Sequence, residues 1–219
     1  MNTTNIFVEL VVVGFHTLIW IGLIVLALVG YRNLNVEKLL TVNLALPILA
    51  MAYILGILID RVSDSVFLPQ DLKMRPVDKQ ADLPSFLTMR YYVLHKSSDI
   101  YAQLEYTRSR LRIARASVFN FALTTIASLL FVWFQLGQFF STPNLVVAGV
   151  ITFVIGAILT FASYQSWMGL VKSYSISTIR AYMLLRDEEA KSEAKDKIEK
   201  NRLSRLTTRS SRTHFARPH

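Results

Sequence analysis

Cysteine is absent from this chain of 219 residues, which excludes disulfide bonds, thiolate metal sites and cysteine nucleophiles. No basic segment precedes the first apolar run, and no A-x-A-like cleavage pattern follows it, so we expect that run to be retained. The sequence also contains no specific catalytic or ligand-binding motif. We therefore expect neither an enzyme nor a bound cofactor or metal ion.

Long apolar runs are the main feature that the chain does have. They cover residues 5–31, 39–59, 116–140 and 145–170. Each is near or above the roughly 20 residues with which a helix crosses about 30 Å of hydrocarbon. A helix also satisfies its own backbone hydrogen bonds, which lipid requires. The sequence therefore predicts an all-α polytopic membrane protein, with four transmembrane helices in two hairpins and long cytoplasmic helical extensions.

Basic residues are distributed very unevenly around these runs. Of 24 lysines and arginines, twelve follow the fourth run and ten lie between the second and third. The first connection has two, and the third has none. Because cytoplasmic segments carry the excess of basic residues, we expect both basic segments and both termini in the cytoplasm. A bacterial inner membrane is the simplest location.

The formal net charge of +9 raises the question of a nucleic-acid partner. Most of this charge lies beside membrane spans, where anionic headgroups attract each basic side chain by about 1 kcal/mol. Membrane lipids are therefore the favoured partner, and nucleic acid is not.

This pattern divides the chain into four predicted parts. They are a first hairpin (1–61), a cytoplasmic loop and amphipathic helix (62–115), a second hairpin (116–171) and a basic helical tail (172–219). Three prolines between residues 63 and 85 predict a loop. From Ser85 onward, apolar residues at seven-residue spacing predict a helix that can continue unbroken into the third run. The tail has no proline or glycine between residues 170 and 216, which predicts a helix of about 35 residues projecting about 50 Å.

Polar residues inside the apolar runs are the best candidates for a functional site, because an ionised side chain there costs about 3 kcal/mol unless it is paired or hydrated. Asn5, Glu9, His16 and Trp20 share one face of the first predicted helix. At the cytoplasmic boundary we predict a polar cluster, with His16 lying deeper. The cluster comprises Glu9, Asp60, Arg61, Asn120 and Gln165.

Two interpretations of this cluster are open. In the first, Arg61 neutralises Glu9 while amide side chains hydrogen-bond between helices and hold the bundle together. In the second, Glu9 repeats around a homo-oligomer as a ring of carboxylates that attracts cations to a pore. His16 is either a neutral imidazole bonded to a neighbouring helix or a proton-sensitive gate. Glu9 and His16 alone lie too far apart along the helix to share one metal ion.

Small residues form a stripe on the fourth run, and the stripe indicates close helix packing. Its members are Gly149, Thr152, Gly156, Thr160 and Ser163. The partner helix could belong to the same chain or to a second copy.

Arginines form two further faces. Arg108, Arg112 and Arg115 enter the third run, where they are placed to contact lipid headgroups. The second face lies in the tail and comprises Arg202, Arg205, Arg209 and Arg212. Because that face is held away from the membrane, it is suited to an acidic cytoplasmic protein or to nucleic acid as well as to lipid.

Two functions are consistent with the sequence. The first is a homo-oligomeric ion-conducting channel lined by the first-span stripe, which would depend on Glu9 or His16. The second is a non-conducting anchor or scaffold that recruits a partner through its basic tail, and this would depend on the tail arginines. The channel is favoured slightly, because a simple anchor has no need of Glu9 in hydrocarbon.

Overall fold

A computed structural model of the chain describes residues 3–30, 44–74, 83–139 and 141–214. Side chains are described from residue 6 to residue 200 of these ranges. Within them the chain forms helices and no strand. The helices are α1 (Thr3–Val29), α2 (Ala45–Met74), α3 (Phe86–Lys96), α4 (Ser98–Phe131), a π-helical segment (Val132–Leu136) and α5 (Thr142–His214).

Four of these helices are long and apolar enough to cross a membrane, namely α1, α2, α5, and α4 together with the π-helical segment. This confirms the predicted all-α class with four candidate membrane-spanning helices and is compatible with an integral membrane protein. The arrangement in two hairpins and the cytoplasmic location of the extensions stay predictions. The predicted start of the second span at Leu39 lies outside the described residues.

Helix α2 continues well beyond the second apolar run, so the predicted loop from residue 63 is wrong as far as Met74. Buried residues recur at every fourth position along this extension: Ile59, Ser63, Phe67 and Asp71. This spacing gives the helix one face that packs against the rest of the protein. Pro69 lies within the helix on its exposed side. The predicted loop between residues 75 and 82 lies outside the described residues.

A break at Ser97 separates α3 from α4, so the helix predicted to start at Ser85 is not continuous. Ser97 has an extended backbone, with φ −149° and ψ 107°. Its hydroxyl accepts a hydrogen bond from the amide of Ile100, which caps the start of α4. From Ser98, α4 then runs without interruption to Phe131, so the predicted continuity into the third span holds for this part.

Helix α5 joins the fourth apolar run to the tail in one element of 73 residues. The predicted helical tail is thereby confirmed as far as His214. Because no proline or glycine lies between Gly169 and Pro218, nothing in the sequence of the described tail interrupts the helical hydrogen bonds.

The main apolar core lies where the extensions of the spans meet α3. It contains Phe67 from α2, residues of α3 and α4, and Trp167, Val171 and Tyr174 from α5. The segment between the second and third spans therefore packs directly against the segment that follows the fourth. A smaller core between α1, α2 and α4 comprises Val13, Ile59 and Ala116.

Backbone contact between α1 and α2 is unusually close. A Cβ atom added at Gly14 would lie 1.6 Å from the carbonyl oxygen of Ala52, and one at Gly56 would lie 1.9 Å from that of Leu10. On each helix the two contacting residues are four positions apart, so they lie on one face. Small residues at this spacing let helices approach closely in lipid, where no hydrophobic effect drives them together.

We predict that Gly14→Ala destabilises the protein, whereas the control Gly22→Ala does not. Each substitution adds a single Cβ atom, and Gly22 has no neighbouring atom within 4 Å of that position. Gly14→Ala forces the two backbones apart and should cost about 1–3 kcal/mol. Gly22→Ala should be neutral or stabilising, because alanine is the better helix former. Thermal unfolding in detergent, followed by circular dichroism, measures both; equal melting temperatures would contradict the close contact.

Candidate functional site

Glu9 of α1 is bound by two residues of α4. Its carboxylate accepts a hydrogen bond from the Ser109 hydroxyl and lies 3.7 Å from Nη2 of Arg112. Arg61, the partner considered from the sequence, is exposed on α2 and does not form this pair. The reason is that α1 packs against α4 at this level, so the arginine face of α4 is what Glu9 meets.

Asp60 pairs with Arg115 rather than with a residue of the first span. Nη2 of Arg115 lies 3.3 Å from Asp60, and Nη1 donates to Asp64, one turn further along α2. Arg115 is buried, with 6% of its surface exposed. A buried charge of this kind is tolerated where carboxylates and hydrogen bonds surround it. The geometry therefore links α2 to α4 through two carboxylates and one guanidinium.

Asn120 lies at the centre of a hydrogen-bonded network between α1 and α4. Its Oδ1 accepts from the hydroxyl of Thr17 and from Nε1 of Trp20, each at 3.2 Å. Its Nδ2 donates to the carbonyl oxygen of Val13 at 3.2 Å. With 1% of its surface exposed, Asn120 is an interhelical amide of the kind that holds membrane bundles together.

His16 also faces α4. Its ring meets that of Phe121 edge to face, with centroids 4.5 Å apart. Glu9, His16 and Trp20 thus form one stripe, as predicted from their spacing, and the stripe is turned toward α4 of the same chain. Gln165 is not part of this arrangement, since it is exposed on α5.

The small-residue stripe of α5 is divided between two environments. Gly156 is buried against the side chain of Thr125, whose Oγ1 would lie 2.0 Å from an added Cβ atom. The Thr160 hydroxyl donates to the Gly156 carbonyl oxygen at 2.8 Å. A Cβ atom at Gly149 would meet nothing within 4 Å, and this glycine lines an open apolar cavity between α4 and α5.

The tail arginines at positions 202, 205, 209 and 212 lie on the last part of α5. Their side chains are outside the described residues. The described part of α5 is held against α3 as far as Glu189. This carboxylate accepts hydrogen bonds at 2.5 Å from the Tyr92 hydroxyl and from Nζ of Lys96. The hydrogen bond to Glu189, with burial, raises the pKa of Tyr92 to about 12.

Several buried or half-buried polar residues were not identified from the sequence. Gln135, in the π-helical segment, donates to the carbonyl oxygen of Ala27 at 2.7 Å, at the opposite end of α1 from Glu9. Arg90 donates to the carboxylate of Glu105 at 2.5 Å and to the Tyr101 hydroxyl at 3.0 Å. Gln135 could have been found as a polar residue within an apolar run. Glu105 gave no signal, because charged residues on a helix outside the membrane are usually exposed.

A charged cavity of about 540 Å³ opens at the end of the second span, bordered by α1, α2, α4 and α5. Three arginines of α4 form one wall: Arg108, Arg112 and Arg115. The facing wall on α2 carries Asp60, Asp64 and Asp71, with Arg61 beside them. Tyr174 and the apolar side chains of Leu10, Ile57, Leu68 and Leu111 complete the lining. This volume is within the range of small-molecule binding sites.

Comparisons of the chain with protein-family models, with curated proteins and with solved structures found no match.

We predict that Asn120→Leu destabilises the protein, and that the control Thr124→Val does not. Replacing Asn120 removes the acceptor of Thr17 and Trp20 and the donor to Val13, which should cost about 1–2 kcal/mol. The Thr124 hydroxyl lies one turn further along α4, buried and without a hydrogen-bond partner among the described residues, so valine loses nothing there. The check is thermal unfolding in detergent; a loss of similar size in both variants would contradict the network.

Proposed function

We propose that this protein is a membrane anchor and scaffold, whose spans hold a long helix that presents its basic end to an acidic protein in the cytoplasm. The observation that carries this proposal is the continuity of α5, from its apolar run to His214. A partner bound at the end of α5 is thereby connected to the membrane by one uninterrupted helix.

The exposure of residues along α5 supports a role in which the helix binds a partner beyond its packed region. As far as Glu189 the helix packs on α3, with the Tyr92 and Tyr182 rings 5.1 Å apart. From residue 190 to residue 200 every residue is exposed, including Ile198 at 69%. Residues 190–214 extend the helix by about 37 Å at 1.5 Å per residue. Because residues 190–200 are all exposed, this stretch of the helix offers its full circumference to a partner.

Charge indicates the chemistry of that partner. The last 19 residues, 201–219, contain five arginines and no acidic residue. The preceding exposed stretch instead mixes lysine with aspartate and glutamate, which suits a solvated helix. A basic end of this kind attracts an acidic surface, and salt screens the attraction beyond about 8 Å at physiological ionic strength.

The alternative function, a homo-oligomeric channel, needs the first-span stripe to face a shared pore. Glu9, His16 and Trp20 instead contact α4 within one chain. Glu9 therefore has a structural reason to be in the span, which removes the argument that favoured the channel from the sequence alone. The choice of the scaffold rests on this point, and homo-oligomerisation stays a prediction.

The proposed topology places both termini and both basic segments in the cytoplasm, with a bacterial inner membrane as the proposed location. The excess of basic residues in these segments supports it. So does the main apolar core, in which α3 and the extension of α2 pack against α5 beyond its apolar run. Segments in contact must lie on the same side of the membrane.

We predict that changing the four tail arginines, at positions 202, 205, 209 and 212, to glutamine removes a set of acidic proteins from the surroundings of the tail. A biotin ligase fused after His219 would label neighbouring proteins in the native host, and mass spectrometry would identify them. The matched control changes Lys191, Lys195, Lys197 and Lys200 to glutamine, since this removes the same charge from the same helix. The control and Glu9→Gln should leave the labelled set unchanged.

Two results would contradict the scaffold. The first is a labelled set that is the same with and without the tail arginines. The second is ion flux through proteoliposomes that contain the purified protein, if the flux falls in Glu9→Gln at equal incorporation. The second result would establish the channel and place Glu9 in its path.

A further inference from the structure

We propose that the charged cavity at the end of the second span is a binding site for one phospholipid molecule whose headgroup joins a phosphodiester to a primary ammonium group. Such a site differs from general attraction of basic residues to the membrane surface, because it selects a headgroup by its chemistry. The site is formed by α1, α2, α4 and α5, and lipid binding there does not depend on what the tail binds.

Opposite charges on facing walls are the first observation. Helix α4 contributes Arg108, Arg112 and Arg115, whereas α2 contributes three aspartates and one arginine. Arg112 also pairs with Glu9, and Arg108 with Glu105, which itself binds Arg90. The lining residues and these ion-pair partners together comprise five arginines and five carboxylates. A ligand with one positive and one negative group keeps this balance, whereas an anion or a cation alone disturbs it.

Unsatisfied donors on the arginine wall are the second observation. Arg108 and Arg112 each lie 3.7 Å from the carboxylate with which they pair, which is too long for a hydrogen bond. Nε of Arg112, Nε of Arg115 and the Tyr174 hydroxyl are buried without a hydrogen-bond partner among the described residues. A phosphodiester offers acceptor oxygens only, and arginine binds it in bidentate fashion. After a small rotation of these side chains into the cavity, the phosphodiester oxygens would supply the missing acceptors.

Carboxylates on the facing wall suit an ammonium group. Asp64 gives one oxygen to Arg115, and half of its side chain is exposed. Asp60 lies one turn away on the same helix, with a fifth of its side chain exposed. A primary ammonium has three N–H donors with which it can bind these oxygens. A quaternary ammonium has none, so the site should prefer an ethanolamine headgroup to a choline headgroup.

The position of the cavity in the fold favours a lipid over a soluble phosphodiester as the ligand. Asp60 directly follows the apolar run that ends at Ile59, so the cavity lies at the level of the headgroups if α2 spans the membrane. Leu10 and Ile57 line the cavity on the side of the spans, and Ile57 is 37% exposed. These apolar side chains are placed to contact the glycerol and the first acyl carbons, which a soluble phosphodiester lacks.

The test measures which lipid stays bound. The protein would be exchanged from nanodiscs containing equal parts of phosphatidylethanolamine, phosphatidylcholine and phosphatidylglycerol into detergent, and its retained lipid would be identified by mass spectrometry. We expect about one phosphatidylethanolamine per chain, enriched at least fivefold over the other two. Arg112→Gln and Asp64→Asn should each reduce the enrichment to near onefold, because each removes one half of the recognition.

Arg110→Gln is the matched control. Arg110 lies on α4 between the cavity arginines but is exposed and packs over the Tyr106 ring, so its loss should leave the enrichment intact. Circular dichroism would establish that each variant is folded, and Asp64→Asn provides the test if Arg112→Gln is not. Equal retention of the choline lipid, preference for phosphatidylglycerol, or unchanged enrichment in both cavity variants would overturn the proposal. Displacement of the lipid by millimolar glycerophosphoethanolamine would overturn a lipid as the source.

Discussion

Arg115 is buried between two carboxylates of α2, and the relative position of the helices follows from that pairing. A buried guanidinium must have charged partners, because leaving either side of a buried pair alone costs about 3–5 kcal/mol. Asp60 and Asp64 are one turn apart, so they fix both the rotation and the height of α2 against α4. At the same level Glu9 reaches Arg112, which brings α1 into the same register.

Close packing along the spans is consistent with this register. The contact of Leu10 with Gly56 begins one residue after Glu9, and Gly14 meets Ala52 one turn further into the span. Asn120, about one turn beyond Arg115, then binds three groups of α1. Charged pairs, backbone contact and an amide network therefore favour the same alignment. Because these contacts use the polar groups of the first span within the chain, the charged cavity and the exposed residues 190–200 of α5 remain as surfaces for binding.

Helix α5 connects those two surfaces. Tyr174 lines the cavity, Glu189 lies at the end of the region packed against α3, and residues 190–200 are exposed. The sequence predicted some parts of the helices better than others. The absence of proline and glycine was sufficient to predict a helical tail, since helix formation there is local. The α2 extension was missed because Pro69 resembles a loop signal, whereas the helix is maintained by buried residues such as Phe67. The break at Ser97 was missed because serine also occurs within helices.

The sequence by itself determined the four candidate membrane-spanning helices and the uneven distribution of basic residues. Both follow from local composition, since an apolar run in lipid satisfies its backbone only within a closed element such as a helix. Only the tertiary structure decided which charges meet. Glu9 and Ser109 are 100 positions apart in the chain, and Asp64 and Arg115 are 51 positions apart. Arg61 and Arg112 are equally basic in sequence, so the choice between them as partner of Glu9 depended on how α1 packs against α4.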